Sequence, residues 1–288
     1  VNDAVPGGAE RFVRVHKFRP VADDLNVVTG ASFSGKAVLP RRWLVQDWIP
    51  WHMVTGLYGA GGEGKTLLLQ QLQTSAALGR PWIGRPVQPI PSLGVYCEDA
   101  LEELHRRQAD INTHYGCTFD ALGALHVMPR FGDDNLLMTF ARNGKGEPTT
   151  FHKQLREAAL DLKAKLIGID TVSDTFGGNE NDRSQVRQYV QLALGSIARD
   201  IDGCVLACAH PSRSGLRSGD GDGGSTAWEA AFRSRLFLAR PKPDGDETPN
   251  ANARVLSRRK ANYAPRDEEI KLRWHQGVLE PDEPSPVS

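Results

Sequence analysis

Residues 59–66 read GAGGEGKT and satisfy the pattern G-x-x-x-x-G-K-[ST] at every fixed position. This stretch limits the fold more than any other, because such a loop works only between a strand and a helix. A strand-like run at residues 53–58 (MVTGLY) leads into it, and residues 67–72 (LLLQQL) begin a helix that continues to about residue 78. Gly59, Gly61, Gly62 and Gly64 let successive N–H groups turn inward towards an anion, and the helix starting near Lys65 adds the positive end of its dipole. Phosphate is the expected guest of the cradle formed by Gly59, Ala60, Gly61, Gly62, Glu63, Gly64, Lys65, Thr66 and Leu67. The expected cofactors are ATP and Mg²⁺, with Lys65 on the terminal phosphates and the Thr66 hydroxyl on the metal.

A second stretch, GASFSGK at residues 30–36, matches most of the same pattern, but its next residue is Ala37. Alanine offers no hydroxyl to a metal, and Pro40 stops the helix whose amino end would hold the phosphate. Residues 30–37 are read as an ordinary loop.

The chain has 288 residues, long enough to bury roughly three quarters of its unfolded surface, and its 40% hydrophobic and 24% charged content is that of an ordinary folded domain. No apolar run approaches the ~18 residues that would span a bilayer, and no basic-then-apolar leader is present, so the expectation is a cytoplasmic protein without a membrane partner. Cys97, Cys117, Cys204 and Cys208 are too scattered for a disulfide framework, and their spacing is not that of a zinc site. Lysine plus arginine equal aspartate plus glutamate at 35 each. Such a balance does not advertise nucleic-acid binding, although a ring of subunits can concentrate a few basic loops in its channel.

Three divisions are expected: an arm or leader at 1–40, interrupted by Pro6, Pro20, Gly30 and Pro40; an ATPase domain at 41–281; and a frayed tail at 282–288. Trp43, Trp48 and Trp51 precede the first core strand and could stack on bases, but read first as packing or the edge of an adenine pocket. Further strands are expected at 93–97, 125–128, 136–140, 166–170, 203–210, 233–238, 254–261 and 269–274, with helices at 101–115 and 149–163 and another ending near residue 200. Glu102 and Glu103 with Arg106 and Arg107 read as a solvated helix face. Residues 174–184 read as a flexible loop, and 211–225, rich in glycine and serine with Arg213 and Arg217, as a second one.

Several strands end in groups suited to phosphoryl chemistry. Glu98 and Asp99 follow one strand, at the crevice where an open α/β sheet binds ligands, and they would also suit the amino end of the next helix. Asp170 ends another strand, where a phosphate-loop enzyme keeps its second metal-organising carboxylate. His210 ends a third, with a satisfied core histidine as the alternative reading.

The ordered set GAGGEGKT, YCED, LIGIDT, ACAHPS before a glycine-rich loop, FRSRLFL and RRKANYAP resembles the RecA-like ATPases of the plasmid replicative-helicase type, the RepA-like proteins, over residues 41–281. The resemblance implies a RecA-like α/β core: a mainly parallel, twisted sheet flanked by helices, with carboxyl-terminal antiparallel strands. It implies that Glu98 polarises the attacking water, Asp170 organises Mg²⁺, His210 senses the γ-phosphate and Arg233 acts as an arginine finger on a neighbouring subunit. It also matches 174–184 and 211–226 to the family's two DNA loops, although Arg183, Arg213 and Arg217 are their only basic residues. The implied protein is a homo-oligomer, a hexameric ring that hydrolyses ATP on single-stranded DNA as a helicase or translocase. A nucleotide-controlled binding switch or loading mediator with slow turnover is the second reading, and a small-molecule kinase the third.

Overall fold

Strands and helices alternate along most of the chain, and in the computed structural model they form one large sheet with helices packed against it. The structure describes residues 27–211, 226–241, 250–266 and 268–282. By contacts the chain divides into two units, residues 1–40 and 41–288. In the first, the described part is largely exposed and holds a single 3₁₀ turn, Gly30–Phe33. The false phosphate motif therefore includes no α-helix to receive an anion.

The second unit begins with an antiparallel ribbon, β1 (Trp43–Val45) and β2 (Ile49–Pro50). Trp48 is fully buried there and Trp51 nearly so, which makes the tryptophan cluster a packing element. Then come β3 (Val54–Gly59), α1 (Lys65–Leu78), β4 (Ser92–Tyr96), α2 (Leu101–Tyr115) and β5 (Leu125–Pro129). A small sheet is formed by β6 (Met138–Phe140), β7 (Gly146–Pro148) and, after α3 (Thr150–Asp161), β8 (Leu166–Asp170) and α4 (Val172–Thr175), by β9 (Phe176–Gly177). Next, α5 (Arg183–Gln188) runs through a π-helical turn, Tyr189–Leu194, into α6 (Gly195–Asp200). The described chain closes with β10 (Cys204–Ala209), α7 (Thr226–Ala231), β11 (Ser234–Ala239), β12 (Ala253–Ala261), β13 (Glu269–His275) and β14 (Val278–Pro281).

The nine-stranded sheet has the order β14-β13-β12-β11-β3-β10-β8-β4-β5. From β11 to β5 every neighbouring pair is parallel, and β12, β13 and β14 extend the other edge antiparallel. This is the expected α/β class, and its parallel strands are the apolar runs that burial on both faces requires. The three central strands β3, β10 and β8 are buried along their whole length. Glycine at 168 lets α1 press close to the sheet, because a Cβ there would lie 2.6 Å from Leu69.

Helix α1 is buried from Leu67 to Ala76, including its polar residues, and Lys65 is buried as well. Gln71 donates to the Leu279 carbonyl at 2.8 Å and accepts from the Leu279 N–H at 3.0 Å, while Gln70 donates to Leu104 O and Gln108. The side-chain amide nitrogens of Gln70 and Gln71 thus replace the water they lose with protein partners.

Three local expectations need correction. Residues 174–184 are not one flexible loop: they comprise the end of α4, the strand β9 paired with β6, and the capped start of α5, where Asp182 accepts from Ser184 N and Gln185 N. Phe176 anchors this segment against Phe140, Tyr189 and Trp228. Asp282, in the expected frayed tail, instead donates its N–H to the Lys271 carbonyl at 3.0 Å. The strands β7 and β14 were not anticipated, because each is short and half-polar and takes its place from pairing rather than from a pattern of its own. Among the described residues, no helix is long and apolar enough to cross a membrane. The expected loop at 211–225, with Arg213 and Arg217, and most of the expected leader and tail lie outside the described residues.

Gln71→Ala should lower unfolding free energy by about 2–3 kcal/mol, because it orphans the buried N–H and C=O of Leu279. Urea denaturation measures this, and a loss below about 0.5 kcal/mol would show that the Leu279 contact does not hold α1.

Candidate active site

The candidate groups meet at the carboxyl ends of four adjacent strands, β3, β10, β8 and β4, where an open parallel sheet presents its crevice. Register aligns them: Tyr58 pairs with Ala209, Cys208 with Asp170, and Asp170 with Tyr96. The phosphate loop, His210, Asp170 and Glu98 therefore follow one another across the sheet. A cavity of about 280 Å³ is lined by Gly61, Gly62, Gly64, Lys65, Thr66, Leu67, Glu98, Arg107, Asp170 and His210.

The loop passes into α1 through Gly64, whose φ of 105° is a left-handed conformation that suits glycine alone. Lys65 is buried, and its Nζ donates to Gly59 O at 2.7 Å and Ala60 O at 3.0 Å. Burial lowers its pKa, against the opposing pull of Cys208, Asp170, Glu98 and Glu63. His210 Nδ1 lies 3.4 Å from Lys65 Nζ, and Nε2 lies 3.9 Å from Glu98 Oε1. Burial and the Lys65 charge lower the histidine pKa, so the ring favours its neutral form. Glu98 itself is half-exposed.

Asp170 is the most strained group electrostatically. It is 1% exposed, and neither carboxylate oxygen has a hydrogen-bond partner of ordinary geometry. Burial raises its pKa to about 6; Glu98 and Asp99 add to the rise, and the Thr66 hydroxyl and Lys65 oppose it. A buried carboxylate short of partners beside a threonine hydroxyl suits a hard cation with oxygen ligands, so the residues present fit Mg²⁺.

Not every expected residue enters the cavity. The Glu63 side chain instead meets Arg254 at 2.8 Å and Arg240 at 3.4 Å, tying the loop to β12. The backbones of Gly59 and Ala60 serve Lys65. Arg233 lies just before β11, whose Ser234 pairs with Thr55, so roughly 16 Å of strand separates it from the loop at Gly59. Arg107, expected on a solvated helix face, lies instead at the cavity. Its side chain is only 19% exposed, lines the cavity, and pairs with Asp99 at 2.9 Å and Glu103 at 3.4 Å. The signal was available, because residue 107 falls between the buried Leu104 and Ile111 on α2.

A family model described as an AAA domain matches residues 22–215, more than half of the chain. The chain belongs to this AAA domain family. It is a phosphate-loop ATPase domain: the matched span holds the phosphate loop, Glu98, Asp170 and His210, and ends before Arg233. No curated protein matches the chain.

Asp170→Asn should have two opposite effects in this AAA domain. A carboxyl with a folded pKa of about 6 against 3.8 holds its proton more tightly when folded, so its penalty is absent below about pH 4 and complete above about pH 6. Asparagine should remove that pH dependence and raise stability at pH 7 by up to about 3 kcal/mol, while weakening Mg²⁺-dependent nucleotide binding at least ~10-fold. Thermal melts across pH 4–8 with a nucleotide titration check both, and a destabilised variant at pH 7 would refute the charge penalty.

Proposed function

We propose that the chain is an ATP-hydrolysing motor on single-stranded DNA, a ring-shaped replicative-type helicase or translocase. The observation that carries this reading is the division of charge between the two ends of the sheet. Lys65, Asp170, Glu98 and His210 converge at one end, and Arg233 stands at the other, too far along β11 to serve the loop of its own chain. An exposed arginine so placed suits the phosphates held by an adjacent copy. The order of the remaining segments, with RRKANYAP on β12 and the turn after it, supports the RepA-like subgroup.

In this reading Lys65 exchanges the Gly59 and Ala60 carbonyls for terminal phosphate oxygens. Glu98, free of the buried core and open to water, accepts a proton as the water oxygen bonds to the γ-phosphorus and the bond to the bridging oxygen breaks. His210 stands between Lys65 and Glu98 and couples phosphate occupancy to the position of the base. Thr66 and Asp170 would hold Mg²⁺, which supplies positive charge to the phosphate oxygens. Arg107 positions Asp99 beside the base. The DNA contact rests on the segments around Arg183 and Arg213 to Arg217, of which 174–184 is largely built into helix and strand.

Single-stranded DNA should stimulate ATP turnover at least ~10-fold; weak turnover with tight DNA binding would favour the nucleotide-controlled switch, and indifference to DNA would sink the motor. Lys65→Ala should abolish productive ATP binding, Lys36→Ala should leave turnover unchanged, and Glu98→Gln should keep affinity while losing turnover by ~10²-fold or more. Arg233→Ala and Lys65→Ala chains, each inactive alone, should regain partial activity when mixed, and no recovery in mixtures shown to exchange subunits would refute action on a neighbour.

A further inference from the structure

At the end of the sheet opposite the phosphate loop, a cleft of about 690 Å³ opens between the amino ends of β3 and β11 and the run from α5 to α6. Arg187, Arg199 and Arg233 line it together with His52 and Tyr263, and among the described residues no acidic one does. All three arginines are exposed, and among the described residues none forms an ion pair. The carboxylates nearby are engaged elsewhere: Asp202 holds Arg42 and His52, and Asp200 holds Arg156. Three guanidinium groups sharing one cleft repel one another, and an anionic occupant relieves that repulsion.

The arrangement is built rather than incidental. The π-helical turn lets Gly195 N–H donate to Val190 O, and Gln191 reaches both neighbouring arginines. Arg187 Nε donates to Gln191 Oε1 at 3.4 Å, and Arg199 Nη2 donates to Gln191 O at 3.4 Å. Residue 195 has no side chain, and a Cβ there would stand 3.3 Å from Arg199 Nη1. Arg233 is tied to Asn262, whose backbone N–H donates to the Arg233 carbonyl at 3.1 Å, and with the Asn262 amide turned so that its oxygen faces the guanidinium, Nη1 lies 3.2 Å from that oxygen. Tyr263 carries the Arg41 guanidinium 3.6 Å from its ring centre.

We propose that this cleft binds the polyphosphate of a nucleotide. Guanidinium forks match phosphate oxygens in pairs, and the volume lies within the ~300–1,000 Å³ of small-ligand sites. Convergence of three guanidinium groups on one open cleft of this size favours a compact polyphosphate over an extended nucleic-acid backbone. The phosphates come from free nucleotide or from nucleotide on the phosphate loop of another copy. The second source rests on the neighbour-acting Arg233 proposed above; the first does not.

The test has two arms. In the first, calorimetry measures inorganic tripolyphosphate binding to full-length Lys65→Ala protein, with and without Arg187→Gln/Arg199→Gln. A loss of tenfold or more in affinity, largely rescued by Arg187→Lys/Arg199→Lys, supports free nucleotide as the source. In the second, Arg187→Gln/Arg199→Gln in an otherwise native chain should lower turnover at saturating ATP tenfold or more, with recovery on mixing with Lys65→Ala chains. That result, without tripolyphosphate binding in the first arm, supports the neighbour as the source. Unchanged binding and unchanged turnover overturn the proposal, as does a turnover loss without recovery in a variant that melts normally and leaves tripolyphosphate binding unaltered. Loss of single-stranded DNA binding with both arms unaltered overturns it in favour of nucleic acid. Arginine-dependent tripolyphosphate binding, combined with failed recovery in Arg233→Ala mixtures, keeps the cleft and removes the neighbour-acting role of Arg233.

Discussion

Helix α1 has almost no side exposed to water, and the rest of the domain is arranged to satisfy that condition. Its leucines need apolar cover from the sheet, from α2 and from β14, and its glutamines need hydrogen-bond partners at fixed places on those same elements. The phosphate loop inherits its rigidity from this enclosure. A loop that ends in a helix held on all sides presents its N–H groups in one geometry, and the enclosure costs polar groups their water unless every one is matched.

The site itself is electrostatically incomplete. Lys65 is held by two carbonyls rather than by a counter-charge, Asp170 has no hydrogen-bond partner of ordinary geometry, and Glu98 and His210 stand at a loose 3.9 Å. Hydrophobic burial elsewhere sustains these unfavourable placements, which are the ones that a metal-bound triphosphate would relieve. By contrast, Glu63 makes a tight pair with Arg254, so the side of the loop away from the cavity is finished structure.

How much of this was legible in the sequence depends on the range of the forces involved. The phosphate loop was readable because its backbone and its chemistry both demand particular residues at particular steps. The buried strands were readable as apolar runs, and the fold class followed from their alternation with helices. Asp170, His210 and Glu98 could be placed because each sits at the end of such a run. Arg107 was missed because charge outweighed helical phase in reading α2. The segment after Asp170 was misjudged because Gly177, Gly178 and Asn179 mask the anchor at Phe176. The partner of Glu63 could not be read at all, since Arg254 is 191 residues away and only the completed sheet brings it near.

The hydrogen bonds between Gln71 and Leu279 join positions 208 residues apart. A ribosome making this chain releases the phosphate loop long before the strand that finishes its support. Until β14 emerges, α1 lacks part of its cover and its glutamine lacks a partner, so the nascent chain carries a nucleotide motif without a finished nucleotide site. Long-range contacts of this kind form late in folding, so the carboxyl-terminal edge of the sheet is among the last parts to complete the support of the phosphate loop.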